Sequence, residues 1–159
     1  MAEFSRYELY MILNQPKPLW LCKIDLSGVD LRGVELQNAV LFGADLHKAN
    51  LTGANLSGAN LGGCNLQGAI LIGADLKHAQ MRGADLRGAD MRETVLIEAD
   101  MVEANLSETN LIGANLASAD LTNANLTNAN LAGANATDYK LSRAKSLTGT
   151  ILPDGSIHE

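Results

Sequence analysis

From Leu26 to Leu141 every fifth residue is apolar, and nearly all are the same residue. Of 24 such positions, 20 are Leu, three are Met (Met81, Met91, Met101) and one is Ala136. Two residues before each of them, from Ile24 to Tyr139, Ala stands at 17 of 24 positions; one residue before, Asp or Asn stands at 18 of 24; two residues after, Gly stands at 12 of 24. The unit is Ala-(Asp/Asn)-Leu-x-(Gly/x), and no insertion breaks its register over 120 residues. Neither the 3.6-residue period of a helix nor the two-residue period of a flat strand accounts for a period of five. The density of Gly and Asn also disfavours an α-helix.

Within a unit, Ala and Leu are two residues apart and share one side of an extended segment, so the Asp or Asn between them points outward. The residues that follow turn a corner, where Gly tolerates positive φ. One unit is then one short side and one corner. Four units close a square coil of 20 residues, and coils stack at the strand spacing of roughly 4.8 Å. The 24 units predict about six coils. Leu fills the middle of each coil, contributing roughly 1.5–3 kcal/mol per side chain, and Ala beside it keeps the square narrow. Backbone ordering opposes this by a similar amount. A solenoid therefore depends on contacts between neighbouring coils.

The runs ANLTGANLSGANL (residues 49–61) and ADLRGADM (84–91) resemble the pentapeptide-repeat protein family, and the resemblance covers about three quarters of the chain. It implies an all-β right-handed quadrilateral parallel β-helix, in agreement with the reading of the period. Departures are few: Thr94 and Thr109 stand in place of Ala, Val40, Ile70 and Val95 in place of Asp or Asn, and Ala136 in place of Leu.

The expected organisation is an N-terminal helical cap (1–23), the β-helix (24–143) and a C-terminal cap or tail (144–159). Ser5-Arg6-Tyr7-Glu8 fits a capping box, with Phe4 and Leu9 placed for a hydrophobic staple. A short helix from about Arg6 to Leu13 follows, stopped by Gln15-Pro16-Lys17-Pro18. Tyr7, Tyr10, Leu13, Leu19 and Trp20 are expected to lie over the first coil, where bulky Ile24, Val29 and Val34 replace Ala. At the other end, Leu152-Pro153-Asp154-Gly155-Ser156 reads as a tight turn. Leu147, Ile151, Leu152 and Ile157 need cover, which two arrangements provide: a cap on the last coil, or a homodimer joined through the C-terminal end.

Residues 20 apart stack on the same side, which allows the sequence to be wrapped. Residues 49–74 carry no charge. Lys77, Arg82, Arg87 and Arg92 then form a basic ring, and Glu93, Glu98, Glu103 and Glu108 an acidic ring one position along. Lys77 with Glu98, Arg82 with Glu103, and Arg87 with Glu108 are expected as diagonal neighbours. Such surface pairs contribute ~0–1 kcal/mol. Outward apolar positions are Val40, Phe42, Ile70, Ile72, Val95, Ile97, Val102 and Ile112. Of these, Ile70, Ile72, Val95, Ile97 and Ile112 are placed to form one patch around an edge, with Arg82, Arg87, Arg92, Glu98 and Glu103 as further candidate contacts for a protein partner.

Chemistry is sparse. His47, His78 and His158 pair with neither Cys nor each other at metal-ligand spacing. Cys64 falls at an inward position, as a buried structural thiol. No Gly-rich loop leads from a strand into a helix to hold phosphate, and a convex rod offers little concavity for a substrate. No catalytic residue, cofactor or metal is expected. The net charge of −6 disfavours direct nucleic-acid binding. Neither a signal peptide nor a long apolar span is visible, so a cytoplasmic protein without membrane contact is expected.

Three functions remain: a non-enzymatic scaffold or regulator that binds an unidentified protein, a DNA mimic, and a passive structural rod. The resemblance implies the first, since many family members are small bacterial proteins, especially cyanobacterial, with regulatory or unknown roles, and the ending GTILPDGSIH (149–158) is similar to ends among cyanobacterial members. It also admits the second, because some members mimic DNA and act on DNA gyrase. Those are typically dimers with a strongly negative surface, and some carry loops projecting from the coil. This chain has no loop insertion, although Lys and Arg are absent between Arg92 and Lys140.

Overall fold

The computed structural model describes residues 5–159, the side chain of Arg6 excepted. The chain winds into a four-sided parallel coil whose rungs pair residues 20 apart, from Trp20 with Val40 to Asn115 with Asn135. Every rung falls on the residue before the central Leu. From the side at Leu21 to the side at Leu111, three backbone hydrogen bonds join each to the next coil. On one side, Leu51 N donates to Ile70 O (2.7 Å), Gly53 N to Ile72 O (2.9 Å), and Ile70 N to Ala49 O (2.9 Å).

The corner follows from the same unit. Ala54 N donates to Leu51 O (3.0 Å), closing a β-turn over Thr52 and Gly53, and Gly53 has φ +63°. A positive φ at that position alone is the type II geometry. The Asp or Asn before Leu completes the corner by accepting from the N–H two residues on, as Asn50 Oδ1 does from Thr52 N (3.1 Å) and Thr52 Oγ (2.7 Å). Seventeen units make this bond among the described residues. That accounts for the Asp/Asn preference: a short acceptor reaches its own backbone turn.

The core is a continuous stack of Leu and Met flanked by Ala, almost all without solvent contact. Where Thr replaces Ala its hydroxyl is satisfied: Thr94 Oγ donates to Met91 O (2.8 Å) and Thr109 Oγ to Leu106 O (2.6 Å). Cys64 is buried and its thiol donates to Leu41 O (2.9 Å).

At the N-terminal end, α1 (Arg6–Leu13) starts on a capping box: Ser5 Oγ accepts from Glu8 N (3.2 Å) and Glu8 Oε2 from Ser5 N (2.9 Å). The Phe4–Leu9 staple lies outside the described residues. Leu9, Ile12 and Leu13 pack against the core, and Leu19 is buried. Tyr7, Tyr10 and Trp20, expected over the first coil, instead face solvent at 70%, 61% and 75% exposure. The cause for Trp20 is register. It pairs with Val40, so it holds the outward position between inward Leu19 and Leu21.

At the other end, α2 (Asp138–Leu141) adds one residue to the path, and the rungs become Asn125 with Ser146 and Asn130 with Ile151. Leu147 and Leu152 lie against the core, and Thr150 is buried with its hydroxyl donating to Leu126 O (2.6 Å). The chain then reverses, pairing Ile151 antiparallel with Ile157, and Ile157 stays exposed.

Candidate protein-contact surface

The 20-residue register assigns each outward residue a side. A first side comprises 24–28 and its stacked equivalents; the second starts from 29–33, the third from 34–38, and the fourth from 19–23 and 39–43. Ile70 and Ile72 lie on the second side, with Ile112 two coils above Ile72. Val95 and Ile97 lie on the third. Ile70 and Ile112 are exposed, and Ile72, Val95 and Ile97 are half-buried. Val102, expected outward, is buried between its stacked neighbours Arg82 and Thr122.

Three units carry an aliphatic residue where the turn-closing Asp or Asn belongs: Val40, Ile70 and Val95. Each forgoes a hydrogen bond of ~0.5–1.5 kcal/mol. In all three the residue after Leu is also large and apolar: Phe42, Ile72 and Ile97. Apolar surface is thus supplied in pairs at the expense of a local turn bond.

Arg92 stands between Ile72 and Ile112 in one outward column, with Val95 around the corner. Its guanidinium donates to both carboxylate oxygens of Asp90, at 2.8 and 2.7 Å. Asp90 itself sits directly above Ile70. The hydrogen bonds from Arg92 hold the Asp90 carboxyl below the usual carboxylate range. The result is a flat side on which a neutralised ion pair is framed by three isoleucines. The corner beyond it is glycine in five of six coils, Glu93 being the exception, so few side chains shield this edge.

The expected diagonal ion pairs do not form. Arg87 pairs with Asp85 (2.8 Å) and Arg92 with Asp90 (2.7 Å), each two residues back, and Arg82 with Asp100 (2.8 Å). Lys77 makes no ion pair among those of the described residues. For Arg87 and Arg92 the Asp two residues back is nearer than a Glu across the coil boundary, whereas Arg82, preceded by Gln80, reaches the corner-facing Asp100 of the next coil. Glu98 instead meets His78 (3.3 Å), and Glu103 borders a shallow groove of about 600 Å³ with Asn105, Asn123, Asn125 and Lys145. The four glutamates of the acidic ring occupy four different corners, each with positive φ between 57° and 61°.

Trp20, Cys22, Val40 and Phe42 form a second apolar surface, on the fourth side at the N-terminal end. The Phe42 ring leans over Gly62: a Cβ added there would lie 3.2 Å from Cδ2. Sequence reading missed Trp20 as an outward residue, although stepping back five from Asp25 identifies it.

Among the described residues no group of three His, Cys, Asp or Glu is placed to hold a metal ion, and no helix is long and apolar enough to cross a membrane. The Cys64 thiol is pushed up to about 11 by burial.

The model of the pentapeptide repeats matches in eight copies over residues 23–61, 49–88, 81–111, 89–128 and 109–145. None of the curated proteins matches the chain. Among solved structures, HetL, a pentapeptide repeat protein involved in heterocyst differentiation regulation in the cyanobacterium Nostoc sp. strain PCC 7120, is 34% identical over 86% of this chain and 76% of its own, with a TM-score of 0.53. A second Nostoc pentapeptide repeat protein is 31% identical over 69% of this chain and 82% of its own, with a TM-score of 0.52. The plasmid-mediated fluoroquinolone resistance protein QnrB1 is 23% identical over 75% of this chain and 73% of its own, with a TM-score of 0.39. With its repeat, its 20-residue coil register and these matches, the chain belongs to the pentapeptide repeat family.

Proposed function

We propose that the chain is a non-enzymatic interaction scaffold or regulatory binding protein. It engages a protein partner through Ile70, Ile72 and Ile112 around Arg92, with Val95 and Ile97 continuing the contact around the corner. The observation that carries this reading is the paired replacement of turn-closing Asp or Asn by aliphatic residues. Each exchange gives up a turn bond that Asn or Asp makes elsewhere and places two apolar side chains at the surface in its stead. Arg and apolar residues at a flat, sparsely shielded site match the composition of interface centres. HetL, 34% identical, is described as involved in regulation of differentiation, and a regulatory role is carried over on that likeness. In this view a rod of about six right-handed coils, 24–143, displays the surface between its two ends, in the cytoplasm of a cyanobacterial cell.

The test is affinity capture with the wild type and an Ile72→Glu/Ile97→Glu variant, followed by measurement of binding to the purified partner. A partner held by the wild type and by Phe42→Ser, but lost by the double variant at unchanged melting temperature, supports the proposal. Equal binding by the double variant overturns it.

One observation favours a second reading, DNA mimicry: Glu93, Glu98, Asp100, Glu103, Glu108, Asp120 and Asp138 succeed one another with no Lys or Arg between. The four glutamates occupy four different corners and only Asp100 and Asp120 stack directly, which weighs against one continuous track. An absence of any effect on gyrase supercoiling removes it.

A further inference from the structure

Exposed aromatic surface is concentrated at the N-terminal end. Helix α1 packs half-buried Leu9, Ile12 and Leu13 against the core, yet its outer face carries Tyr7, Tyr10 and Met11, exposed at 70%, 61% and 45%. These are spaced i, i+3 and i+4, a continuous stripe. Beside it, Trp20 rims a groove of about 490 Å³ with Ile12, Pro16, Pro18, Leu21 and Ile24.

We infer that this end is the contact face of a homodimer, in which a second copy of the chain packs its own α1 and Trp20 against the first across a two-fold axis. Three observations select a second copy joined at this end. The first is area. Aromatic side chains offer ~150–250 Å² each, so Tyr7, Tyr10, Met11 and Trp20 at these exposures present on the order of 500 Å² per copy. The groove adds little to that, so the face has the size of a weak, concentration-dependent interface rather than the ~800 Å² per partner of a standard one. The second is charge. Every Asp and Glu from Glu93 to Asp138 lies in the far half of the rod, with no Lys or Arg among them. Joining N-terminal ends keeps those two acidic halves apart, whereas joining C-terminal ends brings them closer. The third is closure. At the C-terminal end the chain folds back, Ile151 pairing antiparallel with Ile157, which blocks head-to-tail stacking of coils. Only the self-complementary arrangement then satisfies the N-terminal end, and it stops at two copies. Tyr139, the large exposed aromatic at the far end, lies 6.0 Å from the Arg143 guanidinium and is partly engaged within the chain. The dimer leaves both Ile72–Ile112 sides free, so two partner sites are displayed on one rod.

Sedimentation equilibrium across a wide concentration range tests this, read together with emission from Trp20, the single tryptophan of the chain. The expected result is a monomer–dimer equilibrium, with Trp20 emission shifting to the red on dilution. Tyr10→Glu and Met11→Glu, both at exposed positions, are expected to weaken association by roughly tenfold or more each while far-UV circular dichroism stays unchanged. Ile157→Glu with Tyr139→Ser is expected to leave the dimer intact. A chain that stays monomeric at the highest concentration overturns the inference, and so does a dimer that survives Tyr10→Glu and Met11→Glu or dissolves in the C-terminal variant.

Discussion

The side-chain oxygen of Asn38 fills the space that a Cβ on Gly58 would need: the two would stand 2.3 Å apart. Both residues hold the same corner in successive coils, Asn38 at φ +56° and Gly58 at φ +67°. Asn is one of the few residues that tolerates this conformation, but its amide leans over the next coil and requires glycine there. Gly58→Ala therefore carries two costs, positive φ and displacement of Asn38, expected to total about 2 kcal/mol. Gly53 has the same φ range with nothing within 4 Å of an added Cβ, so Gly53→Ala is expected to cost only the first part, about 1 kcal/mol. Asn38→Gly is expected to recover the difference in the Gly58→Ala background. Denaturant unfolding of the four variants checks the cycle; additivity of Asn38→Gly and Gly58→Ala would show that the two side chains do not meet.

Turn closure by the residue before Leu gives a second expectation. Asn115 Oδ1 accepts from Ala117 N at 3.1 Å. Asn115→Ala leaves that corner open and is expected to lower stability by about 1 kcal/mol, while Asn115→Asp is expected to be close to neutral at pH 7. Equal losses for the two substitutions would mean that the bond contributes nothing.

This bond also marks how far the sequence was legible. The period of five is a local code read by every coil in turn, so the square section, the inward Leu and Ala and the stacking of residues 20 apart follow from counting. Ser5 and Glu8 announce the start of α1 in the same way, through partners three residues apart. What counting does not supply is which of two reachable partners a flexible side chain takes. Arg82 and Arg87 find Asp100 and Asp85 rather than Glu103 and Glu108, because those carboxylates are already oriented at a corner. Nor does it supply the single extra residue accommodated by α2, which shifts the last rungs to Ser146 and Ile151 without any break in the Leu spacing through Leu141. Within the candidate surface, the positions of Ile70, Ile72, Val95, Ile97 and Ile112 could be read in advance. Burial of Val102 could not, since it depends on the side chains above and below it.

Acid sensitivity follows from the carboxylates. Asp85 and Asp90 are held below the usual carboxylate range, first by the side-chain hydrogen bonds of Arg87 and Arg92. Asp120 is held down by Thr122 in the same way. A folded-state value below the unfolded one contributes stability that is present above the unfolded value, about 4, and is lost as pH falls through the folded one. Melting temperature is therefore expected to be flat from about pH 5 to 8 and to decline below about pH 4. The loss is expected to be modest, because nine of the seventeen corners use Asn, which does not titrate in this role. Asp90→Asn keeps the corner acceptor and is expected to flatten the decline; an unchanged slope would assign acid loss to other carboxylates.

The two thiols are expected to behave oppositely. Cys22 is exposed, whereas Cys64 is buried, with its thiol directed to Leu41 O at 2.9 Å and pushed up to about 11 by that burial. Since the thiolate is the reacting form, an aromatic disulfide reagent at pH 8 is expected to titrate one thiol in the native chain and both after denaturation. Rapid native modification of both would mean that the coil around Cys64 opens readily.

Ile70 separates stability from recognition most cleanly. It occupies a corner position that is Asn or Asp in most units, and it is 37% exposed. Ile70→Asn restores an acceptor for Ile72 N, worth ~0.5–1.5 kcal/mol, and gives up the partial burial of one aliphatic side chain, a term of similar size. The two nearly cancel, so the variant is expected to unfold within about 1 kcal/mol of the wild type. The apolar frame around Arg92 is broken all the same, and partner binding is expected to fall by roughly tenfold or more. A loss of stability well beyond that range would identify Ile70 as part of the fold rather than of the contact surface. Unchanged stability together with unchanged binding would move the partner's footprint away from this side of the rod altogether.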